Sequence, residues 1–372
     1  MDRGFFRGAW KIAVIMGIPI RIHFSWLIVF GLITWSLSTF YFPHVAPDLP
    51  VASYWMKGVL AALLLFASVA FHELSHSFVA QRYSISIESI TLFVFGGVAQ
   101  MKGEPPHPKA EFWIALAGPL SSIFLSGIFF MISGFVSGGA KALSTYLAQI
   151  NLFISLFNLI PGFPMDGGRI LRSAIWGKTR NFFYATQKAS GIGRKIALFF
   201  IFIGVFSLFT RMPGGLWLML IGWFLYSAAQ TSYQQSSLQE TLSGVKVQDV
   251  MVKDMIVMSP NVSVEEAVNK YFLRYGYGGF PVLDGEKLLG IVTLKETMAV
   301  PRESWPMTKV SDIVTPHDSK WAVSPEDSVT KSLEMMVTED KGRLAVMEKG
   351  KVIGLITRNG VARYIQIRKE IA

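Results

Sequence analysis

One segment of the sequence has residue types and a spacing that suit metal-dependent hydrolysis. Residues 71–80 read Phe-His-Glu-Leu-Ser-His-Ser-Phe-Val-Ala, which contains the pattern HExxH. On a helix, residues four apart share a face, so His72 and His76 can bind one zinc ion while Glu73 serves as general base for an attacking water. The alternative is that these polar side chains pair with other helices. Because ionisable groups at membrane depth are costly, three of them within five residues favour a metal site.

Two imidazoles leave a zinc ion short of protein ligands, so a third must come from elsewhere. The chain has no cysteine, which restricts the choice to imidazole, carboxylate or water. Before residue 240 the only aspartates are Asp2, Asp48 and Asp166, and we favour Asp166. Other candidates sit where an ordinary solvated role is expected: Glu88, Glu104, Glu111, His23 and His107.

Asp166 ends a segment that begins at Asn158 and contains Pro161 and Pro164. Two prolines this close cannot both lie inside a regular helix. We therefore predict extended backbone over 158–166. Within a membrane such backbone is tolerated only where protein buries it or water reaches it.

The surrounding chain has the composition of a membrane protein. It is 51% hydrophobic and 16% charged, which is too apolar for an ordinary soluble protein. A membrane-spanning helix needs about 20 mostly apolar residues. We predict six spans within 23–47, 58–80, 112–140, 142–165, 196–210 and 212–239. The short run 196–210 could instead be a buried or re-entrant helix, which would place the tail on the opposite side of the membrane.

Lys and Arg residues are distributed unevenly between the two sides that six spans define. One side receives fourteen of them and the other receives only Lys57, Lys141 and Arg211. Because cytoplasmic loops carry the excess of basic residues, both termini and the soluble tail are expected in the cytoplasm of a cell-membrane protein. The net charge of +10 is then accounted for without nucleic acid, which we do not expect as a partner. No signal peptide is expected, because the apolar run 12–20 is short and ends at Arg21. That run indicates a strand or an interfacial segment.

Four sequence features together resemble the site-2 proteases, which cut membrane proteins within or near the bilayer. They are the embedded HExxH motif, the segment Asn158-Leu-Ile-Pro161 to Asp166-Gly167, the pair Gly96-Gly97, and Ala117-Gly118-Pro119. The resemblance covers residues 10–230. It implies that His72, His76 and Asp166 bind zinc, that Glu73 is the base and that Asn158 hydrogen-bonds the substrate or the oxyanion. The β-rich stretch 85–101 either pairs with an unwound substrate as an added strand or forms a plain cytoplasmic hairpin.

Residues beyond 246 contain an internal repeat, preceded by a Gln- and Ser-rich stretch that we interpret as a linker over 230–246. Val247-Gln-Asp249 aligns with Val310-Ser-Asp312, and Gly290-Ile-Val-Thr293 aligns with Gly354-Leu-Ile-Thr357. Each copy should contain a helix, over 264–273 and 329–337. Two strands should follow in each, over 279–283 and 288–292 in the first copy and over 344–346 and 352–356 in the second.

The two copies resemble paired cystathionine-β-synthase-type (CBS) repeats, which often bind adenine nucleotides. That resemblance implies a nucleotide site, for ATP or AMP, at Thr293 and Glu296. The matching Thr357 is followed by Gly360 where the family usually has a carboxylate, so the second site looks degraded. A dimerisation role, with the repeats joining a homodimer, is the alternative.

The predicted architecture is a polytopic α-helical membrane protein with a small membrane-associated β-element, followed by a cytosolic α/β tandem CBS module. We divide it into an N-terminal segment (1–22), a transmembrane metalloprotease domain (23–229), the linker, and repeats over 247–306 and 307–372. The predicted function is zinc-dependent cleavage of membrane-spanning protein substrates in the lipid bilayer, with one zinc per chain. The alternatives are a transporter or channel regulated by CBS repeats, and a catalytically inactive membrane scaffold.

Overall fold

The computed structural model describes residues 8–210, 212, 214–316 and 322–371. The chain divides into two compact units, Met1–Ser236 and Ser237–Ala372. Asp2, Arg3 and Arg7 of the predicted N-terminal segment lie outside the described residues, as does Arg211 of the charge count. We refer to the two units as the membrane unit and the tail.

Helices make up most of the membrane unit. The long helix α3 carries the HExxH motif, and its neighbours come both before and after it in the chain. The helices are α1 (Ser25–Ser36), a π-helical turn (Leu37–Tyr41), α2 (Phe42–Val45), α3 (Val51–Arg82), α4 (Pro108–Phe135), α5 (Gly138–Asn158), α6 (Asp166–Thr179), α7 (Phe182–Phe209) and α8 (Gly215–Leu242).

Within the described residues, four helical stretches are long and apolar enough to cross a membrane: Ser25–Val45, Val51–Arg82, Pro108–Phe135 and Phe182–Phe209. Large apolar side chains on these helices are exposed, such as Phe130 at 70% and Phe202 at 66%, whereas small residues such as Ala61 are fully buried. This distribution suits a lipid environment, where small residues let helices approach closely.

The structure changes the extent of several predicted spans. The uncertain run 196–210 is the second half of α7, whose 28 residues include Lys188 and Arg194. This helix starts early because the Asn181 side chain accepts a hydrogen bond from Tyr184 N at 2.7 Å and caps it. Helices α5 and α8 correspond to predicted spans but are not among the four apolar stretches, so the count of six remains a prediction.

A four-stranded sheet lies in the same unit, in the order β1-β2-β3-β4. The strands are β1 (Trp10–Ile15), β2 (Ile18–Ile22), β3 (Ser86–Phe93) and β4 (Gly96–Lys102). Strands β2 and β3 are parallel and the other neighbours are antiparallel. The run 12–20 and the β-rich stretch 85–101 thus each form two antiparallel strands, β1–β2 and β3–β4.

The Gln- and Ser-rich stretch at 230–242 is helical, because it continues α8 as far as Leu242. The linker predicted over 230–246 is thus helical as far as Leu242, and its bounds as a separate segment stay a prediction. Polar residues do not end a helix by themselves, and no glycine or proline occurs between Gly222 and Gly244. Gly244, with a φ of +74°, follows the end of the helix.

The tail contains two similar copies of one α/β pattern, as the sequence predicts. The first has α9 (Val264–Glu266), a π-helical stretch (Ala267–Phe272), α10 (Leu273–Tyr275), β5 (Gly279–Asp284), β6 (Lys287–Thr293) and α11 (Leu294–Met298). The second copy begins with α12 (Val310–Ile313) and β7 (Thr315–Pro316). It continues with β8 (Ala322–Val323), α13 (Val329–Thr338), β9 (Arg343–Glu348), β10 (Lys351–Thr357) and α14 (Arg358–Ile371).

The tail has two three-stranded sheets, in the orders β5-β6-β7 and β10-β9-β8. Strand β7 belongs to the second copy but pairs with β6 of the first. The antiparallel pairs β5–β6 and β9–β10 lie at the centre of the two copies. Separate apolar cores support them, with Phe280 and Val292 in the first copy and Leu344 and Ile356 in the second, all buried.

Candidate metal centre and a second cleft

Helix α3 places the two histidines of the HExxH motif side by side in the interior of the membrane unit. His72 and His76 are 4% and 3% exposed, and their Nε2 atoms are 3.1 Å apart. They lie one helical turn apart, which puts both imidazoles on the same face of α3. The face is buried because α4 packs along α3.

Asp166 brings a carboxylate to these histidines from a distant part of the chain. Its Oδ2 atom is 3.1 Å from Nε2 of His72 and 3.1 Å from Nε2 of His76. Asp166 is 9% exposed and is the first residue of α6. Three donor atoms therefore converge in one buried place, as expected for the ligand set favoured from the sequence.

The segment before Asp166 is a series of turns and not the extended backbone that we predicted. Gly162 N donates to Ile160 O at 2.8 Å and Met165 N donates to Gly162 O at 3.1 Å. The prolines do prevent a helix, but local hydrogen bonds and one from Phe163 N to Ala189 O satisfy the backbone. The turns end at the N-terminus of α6, which fixes the position of Asp166.

Helix α4 holds both imidazoles through their second nitrogen atoms. His76 Nδ1 is 2.6 Å from the Ile114 carbonyl oxygen, and His72 Nδ1 is 2.9 Å from Ser122 Oγ. A carbonyl oxygen only accepts, so Nδ1 of His76 carries the proton. In the neutral imidazole Nε2 then presents a lone pair towards the Asp166 carboxylate. That arrangement is repulsive unless a cation or a proton lies between them.

A glycine on α4 leaves room beside the two imidazoles. A Cβ atom at Gly118 would lie 2.2 Å from His76 Nε2 and 2.5 Å from His72 Nε2. Ligand atoms around tetrahedral zinc are about 3.3 Å apart, given Zn–N and Zn–O distances of about 2.0–2.1 Å. The observed separations of 3.1 Å fit that requirement. The residues present therefore suit a zinc ion.

Glu73 follows His72 on α3 and is partly buried. Strand β4 comes close to it, because a Cβ atom at Gly97 would lie 2.7 Å from Glu73 Cγ. The glycine pair that resembles the site-2 proteases thus packs on the predicted general base. Asn158 is the last residue of α5 and is partly buried. Its contact with a substrate stays a prediction.

The rival ligand candidates all have other surroundings. Glu88 is exposed on β3, Glu104 lies before α4, and His107 caps α4 by accepting a hydrogen bond from Ala110 N. The expectation of a solvated role is wrong for His23, 7% exposed and 2.9 Å from Ser25 Oγ, and for Glu111, which is fully buried. Glu111 can be buried because Arg172 pairs with it. That partner lies 61 residues away in the chain, so the pair could not be predicted from local sequence.

The residues that support the histidines are not among those predicted from the sequence. Ile114 acts through its backbone carbonyl, so no side-chain pattern could reveal it. Ser122 is one of many serines in apolar helices. Gly118 belongs to the Ala-Gly-Pro motif, which was the available signal for a close approach at this point of α4.

A second cleft lies in the tail, between the two copies of the repeat. It has a volume of about 260 Å³ and combines residues of both copies. Thr293 and Glu296 line it, as do Lys295, Lys341 and Arg343. The cleft thus contains two of the three predicted nucleotide residues. Thr357 is not among its lining residues and accepts a hydrogen bond from Gly360 N at 3.0 Å.

The Glu296 carboxylate already has hydrogen-bond partners within the tail. It accepts hydrogen bonds from Thr293 N at 2.9 Å, from the Thr293 hydroxyl and from Thr315 Oγ1 at 3.2 Å. Partial burial acts to raise the pKa of Glu296, but these hydrogen bonds outweigh it and hold the pKa below its usual value. Thr293 and Glu296 also form a capping box at the start of α11.

Arg343 crosses from the second copy to the first at this cleft. Its Nη1 atom donates to the Gly279 carbonyl oxygen at 2.5 Å. A Cβ atom at Gly278 or Gly279 would lie within 3 Å of the guanidinium nitrogens, so the glycine pair makes room for the arginine. The cleft is therefore lined by basic side chains and by two carboxylates, those of Glu296 and Asp340.

Comparison with known proteins identifies both units. The sequence model of Peptidase family M50 matches residues 60–145 and 134–204, and that of the CBS domain matches 247–301 and 310–367. The Rip3 protein of Mycobacterium tuberculosis is 35% identical over 97% of this chain and 94% of its own length. A protein of Methanocaldococcus jannaschii named zinc metalloprotease is 32% identical over 95% of both chains. A solved site-2 protease from Methanocaldococcus jannaschii is 33% identical and covers 60% of this chain and 95% of its own, with a TM-score of 0.44.

Proposed function

This chain belongs to peptidase family M50, the site-2 protease family, and carries two CBS domains, and from that premise we propose that it is an intramembrane zinc endopeptidase. It would hydrolyse peptide bonds of membrane-spanning protein substrates. His72, His76 and Asp166 would hold one zinc ion per chain. The observation that supports this proposal most is the convergence of their three ligand atoms in a buried place.

Each residue of the candidate site has a separate role in the proposed reaction. When bound, zinc acidifies water and polarises a peptide carbonyl. Glu73, next to His72 on the same helix, takes the proton of the attacking water and passes it to the leaving amine. Asn158 donates a hydrogen bond to the substrate or to the developing oxyanion. Ser122 and the Ile114 carbonyl keep the two imidazoles oriented.

We place both termini and the tail on the cytoplasmic side of the cell membrane, on the basis of the basic-residue count. The partly buried β4 strand beside Glu73 would let an unwound substrate pair with the sheet edge. Such unwinding is needed because a helical peptide bond is sterically shielded from attack.

Replacing Glu73 by Gln tests the function directly. The variant should bind zinc as the wild type does and lose cleavage by about 100-fold or more, the usual contribution of a general base. The full chain in detergent micelles would be given a library of membrane-spanning peptides flanked by fluorophore and quencher, with metal content measured by mass spectrometry. In parallel, membrane proteins that accumulate uncut in cells carrying Glu73→Gln would identify substrates.

The outcomes separate the alternatives. Cleavage at the wild-type rate by Glu73→Gln would exclude the proposed mechanism. A wild type that binds zinc but cleaves nothing would favour an inactive scaffold. A wild type that neither binds zinc nor cleaves would favour the transporter or channel, although that function does not account for the converging ligand atoms.

For the tail we propose that the cleft between the CBS domains binds an adenine nucleotide, ATP or AMP, and thereby modulates cleavage. Supporting this is the combination of Glu296, suited to a ribose hydroxyl, with Lys295 and Arg343, suited to phosphate. A CBS-mediated homodimer is a further proposal, which sedimentation of the full chain with and without nucleotide would test.

Titration calorimetry of the full chain with ATP and with AMP tests the nucleotide site. We expect Thr293→Ala to weaken binding by about 10-fold, the effect of losing one hydrogen bond to a charged group. Thr357→Ala is the matched control, because Thr357 occupies the equivalent position of the second copy outside the cleft. Absence of heat with either nucleotide would remove the proposal.

A further inference from the structure

Arg172 and Glu111 form an ion pair in the interior of the membrane unit. Arg172 is 7% exposed and Glu111 is fully buried. Arg172 Nε donates to Glu111 Oε1 at 2.6 Å, and a terminal nitrogen of the guanidinium contacts the same oxygen. The guanidinium also lies over the rings of Phe163 and Phe182, at 4.9 Å and 4.4 Å from their centroids. It thus contacts α4, the turns before Asp166 and α7.

Each partner is close in sequence to residues that build the candidate metal centre. Glu111 lies on α4, one turn before Ile114, whose carbonyl oxygen accepts from His76. Arg172 lies on α6, which begins at Asp166. Six residues of α-helix span about 9 Å, so a small rotation of α6 about Arg172 would displace the Asp166 carboxylate.

Two different helices therefore control the positions of the three candidate zinc ligands. Helix α4 orients the imidazoles of His72 and His76, and α6 carries the Asp166 carboxylate. We propose that the Glu111–Arg172 pair positions Asp166 relative to the two imidazoles and thereby sets the zinc affinity. This inference rests on the proposed function, in which these three residues bind zinc.

A purely stabilising role accounts poorly for the pair. Removing two charges from water offsets most of the attraction between them, so a buried ion pair gives little net stability. Within the described residues, Glu111 Oε2 has no hydrogen-bond partner, which adds to that cost. The planar guanidinium, by contrast, fixes direction as well as distance through several contacts at once. Fixed direction is what a positioning role requires.

Zinc affinity of the full chain in detergent, measured by competition with a chelator, tests the proposal. Arg172→Lys and Glu111→Gln should each weaken zinc binding by about 10-fold, the scale of changes in residues that orient metal ligands. Glu104→Gln is the matched control. Its carboxylate lies 3.9 Å from the same guanidinium, but its side chain is 51% exposed, so its loss should change affinity less than about 2-fold.

A double variant distinguishes positioning from general loosening. If Arg172 acts through Asp166, then Arg172→Lys should cause no further loss in an Asp166→Asn background. A merely structural role would weaken zinc binding in both backgrounds, and that result overturns the proposal. Wild-type zinc affinity in both single variants would also overturn the proposal. The same holds if neither single variant elutes as folded protein in size-exclusion chromatography. If Asp166→Asn itself binds zinc like the wild type, the ligand set is wrong and the positioning role falls with it.

Discussion

The metal centre and the cleft of the tail both gather charged side chains from distant parts of the chain, yet their hydrogen bonding differs. In the metal centre, two imidazole nitrogens and a carboxylate oxygen face one another at 3.1 Å, while the outer nitrogens are held by α4. In the cleft, the Glu296 carboxylate already accepts hydrogen bonds from Thr293 and Thr315. Converging acceptors require a cation or a proton between them. The hydrogen-bonded carboxylate of Glu296, by contrast, is stable in the fold without any ligand.

The two sites therefore differ in whether their residues need a ligand in order to make favourable contacts. The three residues of the metal centre make contacts that are favourable only with a positive charge among them. The residues of the cleft make favourable contacts by themselves, and a nucleotide would have to compete with them. Changes that disturb the metal centre should therefore act on ligand binding, and changes at Glu296 should act first on the local fold.

The largest effect is expected from Gly118→Ala. The added methyl group would lie 2.2 Å from His76 Nε2, where real side chains do not approach, and the imidazoles would have to move. Zinc affinity should fall by about 100-fold, the upper end of effects on metal-supporting residues. Metal content and chelator competition of the purified full chain would measure it.

Gly127→Ala is the matched control for that experiment. Gly127 lies on the same helix, and a Cβ atom there would have open space around it. Its zinc affinity should equal that of the wild type. If Gly118→Ala binds zinc equally well, the two glycines do not differ in function and the described approach of α4 is wrong.

A smaller effect is expected from Ser122→Ala, which removes the partner of His72 Nδ1 at 2.9 Å. Loss of a hydrogen bond that orients a metal-ligating histidine costs about 10-fold in affinity. Ser126→Ala, one turn further along α4, is the control, because its hydroxyl donates to the Ala148 carbonyl oxygen instead. Equal affinities of the two variants would show that Ser122 does not orient the imidazole.

The three residues that converge in the candidate metal centre could be selected from the sequence because they are rare in their surroundings. Three ionisable residues within an apolar helix stand out, and Asp166 was one of three aspartates before residue 240. The turns before Asp166 could not be predicted, since their conformation depends on contacts such as Phe163 N with Ala189 O. Burial of Glu111 could not be predicted either, because it depends on Arg172 in another helix.

The fold of the tail was predicted from its internal repeat, which doubles the signal for each strand and helix. The helix over 230–242 was not, since Gln and Ser are frequent both in linkers and on helix surfaces. Glu296 also shows that one sequence pattern can indicate two different roles. A Thr followed three residues later by Glu is the pattern of a capping box and also that of a ribose-binding carboxylate.

The smallest effect separates those two roles of Glu296 through pH. Hydrogen bonds from Thr293 and Thr315 lower the pKa of the folded carboxyl, so it contributes stability above the unfolded value of about 4.3. That contribution is lost as pH falls through the lower, folded pKa. A helix cap is worth about 1 kcal/mol, or roughly 5-fold in an opening equilibrium.

Hydrogen exchange of the segment 287–299 in the full chain would measure this contribution. At neutral pH the segment should exchange about 5-fold faster in Glu296→Gln than in the wild type. The difference should shrink once pH falls below the unfolded value of about 4.3 and disappear only below the lower, folded pKa, where the wild-type carboxyl is protonated. Glu265→Gln removes a carboxylate from an exposed position on α9 and should match the wild type throughout. A difference that persists at low pH would mean that the charge of Glu296 does not support the cap. Nucleotide binding would then be the only one of the two roles left for that charge.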